Sequence, residues 1–264
     1  MTIGFIGLGN MAKAIIGGIL ANGLMGPNEI IGTAATEETR QKVSAKYGIQ
    51  VRSSNAAVAQ EADIIFLAVK PQYLKVVIAD IMDSVDENKV IVSIAAGKTI
   101  GWLSKEFEKP VKLIRVMPNT PALVLEGCSA VCRNDLVSDS DYHFVKELLE
   151  SFGKAYTVPE SMMDVVVGVS GSSPAYVFLF IEAMADAAVA GGMPRKQAYE
   201  FAAQSVLGSA KMVLETGKHP GELKDMVCSP AGTTIEAVRV LEEKGFRAAV
   251  IDAVTACIDK SKNL

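Results

Sequence analysis

TIGFIGLGNMA, residues 2–12, is the stretch that decides the fold. Ile3, Phe5 and Ile6 form a short apolar run, and Gly7, Gly9 and Ala12 fill the three small-residue positions of a G-x-G-x-x-G/A turn. A strand here passes into a helix through a turn with no room for side chains. Gly7 permits the sharp turn, Gly9 leaves the backbone open to a pyrophosphate, and Ala12 lets the helix pack closely on its strand. Unpaired N–H groups at the helix start would then face the phosphates. A plain strand-turn-helix can carry the same glycines, so the rest of the chain has to agree.

The chain has 264 residues, enough for one large or two medium domains, with 50% hydrophobic and 21% charged residues. Its 26 basic and 30 acidic residues give a net charge of -4 and no basic run, which argues against nucleic acid or an anionic membrane as partner. The first strand starts at once, so no secretory signal is expected and the cytoplasm is the expected location. The longest uncharged run, residues 165–181, is interrupted by GVSGSSP and closed by Glu182 and Asp186. It reads as buried core rather than as a membrane span, which needs about 20 largely apolar residues. Cys128 and Cys132 fall in a predicted strand roughly 13 Å apart, too far for a disulfide or a shared metal. His143 and His219 each stand alone, so no metal site is expected.

After the first turn a helix runs over 13–22. A second strand covers 29–33, EIIGT, and its end bears on the cofactor. An acidic residue about 20 residues after the glycines would bind the ribose 2′-hydroxyl of NAD. Here Thr33, Ala34, Ala35 and Thr36 precede the first acid, Glu37, and Arg40 lies one turn into the next helix. Small uncharged residues admit a 2′-phosphate, so NADP is favoured. A helix over 37–47 and a short extended piece at 50–51 lead to Ser53, Ser54 and Asn55, one of which caps the next helix. Residues 62–69, ADIIFLAV, read as a strand buried on both faces, ending at Lys70-Pro71 where ligands of parallel sheets gather. A helix at 72–82 is followed by strands at 90–95, ending Ala95-Ala96-Gly97, and 112–116, followed by MPNTP. Strands at 127–133 and 154–158 flank a helix at 138–152. This alternation predicts an α/β fold with a doubly wound, Rossmann-type sheet.

Beyond Glu160 the chain is alanine-rich and helical, with helices at 175–189, from Pro194 to 215, 221–227, 234–243 and 247–260. The expected domains are 1–160, binding the dinucleotide, and 161–264, all helical. Apolar side chains surround most of the 175–189 helix, which predicts a partner subunit and hence a homodimer. In 219–242, HPGELKDMVCSPAGTTIEAVRVLE, Ser229, Thr233 and Thr234 supply hydroxyls and Gly232 frees the backbone at a helix start. Such a turn can trap a carboxylate, and it can equally be an ordinary capped helix.

The chain resembles pyrroline-5-carboxylate reductase, the last enzyme of proline biosynthesis, along its whole length. The motifs that carry the resemblance are GFIGLGNMA, AVKPQ at 68–72, SIAAG at 93–97, MPNTP at 117–121, SGSSPAY at 170–176 and the 223–242 segment. It departs at Ala231, where many members carry glycine, a difference that matters only if that residue needs positive φ. The resemblance implies NAD(P)H-dependent reduction of 1-pyrroline-5-carboxylate to L-proline by an oxidoreductase with a helical dimerisation domain, often in higher oligomers. Carried over by position, Ile6, Gly7, Leu8, Gly9, Asn10 and Met11 hold the pyrophosphate, Thr33 the 2′-phosphate region and Asn55 the adenosine ribose. Ala68, Val69, Lys70, Pro71, Ala95, Ala96 and Asn119 flank the ribose and nicotinamide, and Glu160 is a further cofactor contact. Ser229 and the N–H groups of Gly232 and Thr233 hold the substrate carboxylate, with the catalytic Thr234 at the ring nitrogen.

A protonated cyclic imine already accepts hydride well, so orientation can supply most of the catalysis, with no dedicated histidine or lysine. Two rivals remain. A β-hydroxyacid dehydrogenase shares the N-terminal pattern, but that family's lysine is missing from 168–176. A non-catalytic NADPH sensor has no use for a carboxylate pocket.

Overall fold

A computed structural model describes residues 1–263. In chain order the elements begin with β1 (Ile3–Ile6), α1 (Asn10–Ala21), β2 (Ile30–Thr33), α2 (Glu37–Tyr47), β3 (Gln50–Val51), α3 (Asn55–Glu61), β4 (Ile64–Leu67) and α4 (Leu74–Ile81). Then come β5 (Val90–Ser93), α5 (Ile100–Phe107), β6 (Lys112–Met117), β7 (Gly127–Arg133), α6 (Asp139–Glu150) and β8 (Gly153–Thr157). The remainder is helical: α7 (Met163–Val166), α8 (Ser173–Ala190), α9 (Arg195–Thr216), α10 (Pro220–Val227), α11 (Thr233–Glu243) and α12 (Phe246–Lys262).

The eight strands form one sheet in the order β3-β2-β1-β4-β5-β6-β7-β8. Pairing is parallel except between β6 and β7. The chain therefore doubles outward from β1, the topology in which ligands collect at the carboxyl ends of the strands beside the switch between β1 and β4. Side chains alternate between two buried layers: Ile3, Phe5, Ile64 and Phe66 enter one, and Ile6, Ile65, Leu67 and Ile91 the other. Burial on both faces is why these strands read as unbroken apolar runs.

Helix starts follow local chemistry. Thr36, Ser54, Thr99 and Ser138 each accept a backbone N–H from the first turn of α2, α3, α5 and α6. The helix α5 has no counterpart in the sequence reading, although Thr99 caps it and Leu103 and Phe107 bury one face.

Contacts divide the chain into Met1–Ser172, joined by the residues from Cys257 onward, and Ser173–Ala256. The sequence changes character at Glu160, yet the following residues pack with the sheet. Met163 is fully buried in a cluster with Ala130 and Cys132. After α7 the helix widens over Val167–Gly171, where Ser172 N–H donates to Val167 O, five residues back, at 2.8 Å. In the same unit Ser261 Oγ donates to Asp164 Oδ1 at 2.7 Å.

In the second unit α8 and α9 form a hairpin whose buried residues are all alanine, Ala185 on one helix and Ala198 and Ala202 on the other. The 165–181 run, expected to be core, is buried only at Val167 and Gly168 in the single chain: Val169 is 58% exposed, Phe178 63% and Leu179 68%. The stretch Glu160–Ala190 that contains it is long and apolar enough, by length and composition, to cross a membrane.

Packing at Gly18 in α1 gives a direct test. A Cβ there would stand 2.5 Å from Phe152 Cβ. Alanine is the better helix former by about 1 kcal/mol, but overpacking costs about 1 to 3 kcal/mol. Gly18→Ala is therefore expected to lower stability in urea denaturation; an unchanged or higher midpoint would show that this contact yields freely.

Candidate functional site

The carboxyl ends of β1, β2, β4, β5 and β6 share one edge of the sheet because these strands are parallel. At β1 the chain turns at Gly7, with φ +97 and a would-be Cβ only 2.6 Å from Ala68 O. Only glycine fits there. Gly7 N–H donates to Thr33 O at 2.9 Å and Ala68 N–H to Ile6 O at 2.8 Å, so the ends of β1, β2 and β4 are stitched together. Leu8 is buried beneath the turn and Asn10 is exposed above it. A Cβ on Gly9 would meet no heavy atom within 4 Å. Gly9 is also the N-cap of α1, and no side chain caps that helix. Open space, a small residue and uncapped N–H groups fit a pyrophosphate.

At β2 the Thr33 side chain is buried, 2% exposed. The surface is made instead by Ala35 and Thr36, with Arg40 folded back so that Nη1 donates to Ala34 O at 2.6 Å. Nη2 pairs with Glu37 at 3.1 Å. Arg40, one turn removed in sequence, is thus the cation at the place where a 2′-phosphate would lie. Its place one turn into α2, four residues after Thr36, is what brings it back to the end of β2.

Asn55 opens α3 and donates from Nδ2 to Asp80 Oδ2 at 3.0 Å, which leaves its Oδ1 as the acceptor for a ribose hydroxyl. Lys70 is exposed, Val69 half-buried, and Pro71 starts a short turn into α4. Past β5, Ala95 is buried and Ala96 half-buried.

Two expected cofactor contacts have their polar atoms engaged by protein. Asn119 is buried, donates from Nδ2 to Ser170 O at 3.0 Å and accepts Cys128 N–H on Oδ1 at 2.8 Å. It ties the end of β6 to the start of β7 and to the widened turn. Glu160 follows β8, which runs against the parallel strands, and its Oε1 accepts from Ile100 N–H at 2.7 Å and from buried Arg115 at 3.0 Å. It holds the start of α5 to β6. Both cysteines in β7 are held toward the protonated thiol. Burial pushes the Cys132 thiol up to about 11, with Glu160 adding to the effect, and burial also raises Cys128 against a hydrogen bond from Ser170.

The second candidate lies wholly in the helical unit. Residues 229–232 form a turn in which Gly232 N–H donates to Ser229 O at 3.0 Å. The Gly232 N–H, expected on the substrate carboxylate, is therefore spent on closing the turn. What Gly232 contributes is space, since a Cβ there would stand 2.3 Å from Ser229 Oγ. Gly232 is the N-cap of α11 and, as at α1, no side chain caps the helix. Ser229 and Thr233 are exposed and Thr234 half-buried. Ala231 has φ +54, so the one departure from the family pattern falls where positive φ is needed.

Fold and edge geometry define the class: a dinucleotide-dependent oxidoreductase of Rossmann type. Residues 160–264 match the family model "Pyrroline-5-carboxylate reductase dimerisation", and residues 2–97 match "NADP oxidoreductase coenzyme F420-dependent". The chain is 57% identical to pyrroline-5-carboxylate reductase of Escherichia coli (strain K12), covering 99% of this chain and 97% of that protein. It is 43% identical to the Arabidopsis thaliana reductase over 99% and 95%. A Plasmodium falciparum pyrroline carboxylate reductase crystallised with NADP bound superposes with a TM-score of 0.90 at 33% identity, over 100% and 97% of the two chains. The chain belongs to the pyrroline-5-carboxylate reductase family.

Arg40 supplies a test of cofactor choice. A guanidinium on a phosphate is worth roughly tenfold in affinity. Arg40→Met is expected to raise KM for NADPH by about that factor and to leave KM for NADH nearly unchanged; equal effects on the two would remove Arg40 from the 2′-phosphate.

Proposed function

We propose that the chain reduces 1-pyrroline-5-carboxylate to L-proline, the last step of proline biosynthesis, with NADPH preferred and NADH accepted. The observation that carries this reading is the start of α11, where a glycine N-cap leaves first-turn N–H groups without a side-chain cap beside the hydroxyls of Ser229, Thr233 and Thr234. Helix dipole, backbone donors and hydroxyls together suit a carboxylate. In this reading Ser229 and the Thr233 N–H hold the substrate carboxylate, and the Thr234 hydroxyl oxygen accepts from the protonated ring nitrogen.

NADPH supplies the hydride when bound. Residues 6–11 hold its pyrophosphate, Thr36 and Arg40 its 2′-phosphate, Asn55 its ribose, and 68–71 with Ala95 and Ala96 the nicotinamide end. Asn119 and Glu160 act on the cofactor through the backbone they fix. The substrate arrives as an electrophile, so the chain's own work is to bind, orient and exclude water. A threonine hydroxyl, with a pKa far from neutral, positions the nitrogen and is no strong acid.

The helical unit is the dimerisation and substrate-binding domain in this reading, and the working form is a homodimer or a larger assembly of dimers in the cytoplasm. Supporting it are apolar side chains exposed in the single chain, among them Phe201 at 61%, Leu214 at 78% and Ile251 at 63%. Apolar surface of this extent is covered by a partner in stable proteins.

Purified protein is expected to oxidise NADPH when given pyrroline-5-carboxylate and to form L-proline; no turnover with either nicotinamide would remove the enzymatic reading. Thr234→Ala should lower kcat/KM by about ten- to a hundredfold, the worth of a hydrogen bond to a charged group, and leave NADPH affinity intact. Loss of NADPH affinity would mean that Thr234 belongs to another site. Phe201→Asp is expected to weaken self-association in sedimentation velocity, and an unchanged oligomer would put the interface on another face.

A further inference from the structure

We infer that Ala231 sets how tightly this chain holds its carboxylate substrate, because the closed turn before α11 requires a left-handed conformation that alanine disfavours. The inference rests on 229–234 being the substrate site. Among the described residues three that are not glycine have positive φ: Glu108, Leu125 and Ala231. Glu108 and Leu125 each cap the end of a helical element, a common place for a left-handed residue. Ala231 instead occupies the third position of the four-residue turn 229–232, closed by the Gly232 N–H on Ser229 O.

The two central residues of this turn pull in opposite directions. Pro230, with its fixed φ, favours the second position of such a turn, whereas positive φ at the third position favours glycine. Closing the turn is what brings the Ser229 hydroxyl over Gly232, to where a Cβ would stand 2.3 Å from it. Opening it relaxes Ala231 and carries that hydroxyl away from the start of α11. Little else holds the closed form, because Ser229, Pro230, Ala231 and Thr233 are all exposed and α11 has no side-chain cap.

Left-handed strain at one residue and one exposed hydrogen bond are each worth a few-fold to about tenfold in population. The two oppose each other and are of comparable size. The closed turn is then only a fraction of the empty protein, and apparent affinity falls by that fraction. Glycine at this position removes the strain, and a β-branched residue increases it.

The test uses the full chain and its Ala231→Gly and Ala231→Val variants. Three quantities are measured: KM for pyrroline-5-carboxylate, KM for NADPH, and L-proline affinity of the NADP⁺-loaded protein by calorimetry. Ala231→Gly is expected to lower KM for the imine and Kd for L-proline by about two- to tenfold, with the gain in KM rather than kcat. Ala231→Val should raise both, and KM for NADPH should stay fixed in each. Equal imine KM and L-proline Kd in all three proteins would overturn the inference. So would a shift in Tm without a shift in those two constants, the mark of a merely structural residue. Failure of the unsubstituted chain to turn over the imine would contradict the assigned reaction instead, and the L-proline titrations would still report on the turn.

Discussion

Backbone N–H groups at a helix start must find an acceptor; α1, α4, α7, α9 and α11 receive none from a side chain, and at α1 and α11 the N-cap is a glycine with no side chain to offer one. Helices α2, α3, α5 and α6 are capped by Thr36, Ser54, Thr99 and Ser138. Helices α1 and α11 instead begin after Gly9 and Gly232, with no capping side chain. Glycine in place of a capping side chain costs only a few tenths of a kcal/mol, and a bound anion more than offsets it. One start suits a pyrophosphate and the other a carboxylate. The sheet, the doubled topology and the Gly7 turn serve to present the first of these, and the 229–232 turn presents the second.

Much of this was legible in the sequence because the physics is local. Gly7, Gly9 and Ala12 announce a close approach of backbone to strand and ligand, and ADIIFLAV announces a strand buried on both faces. Helix α2 begins and ends as read, between Thr36 and Gly48, because a hydroxyl cap and a left-handed glycine are short-range signals. The reversal of β7 against β6 is not such a signal. An alternation of strands and helices reads alike whichever way the last pair runs.

What stayed hidden depends on which atoms the folded chain has already engaged. Asn119 looks like a ligand contact until Ser170 and Cys128 are seen to engage both ends of its amide. Glu160 looks free until Arg115 and Ile100 are found on its oxygen. The Gly232 N–H was counted as a substrate donor, but it closes the turn on Ser229. Residues 165–181 are apolar enough for a core, yet Phe178 and Leu179 are exposed in the single chain. Composition fixes that such a surface must be covered and says nothing about which molecule covers it.

A crystal structure of the chain with NADP⁺ and L-proline tests most directly whether the glycine-capped starts of α1 and α11 hold the two anionic ends of the reactants. The expected result places the pyrophosphate on the N–H groups that follow Gly9. It places the proline carboxylate within hydrogen-bonding distance of Ser229 Oγ and the Thr233 N–H. A carboxylate held by a lysine or arginine side chain away from the start of α11 would contradict that assignment.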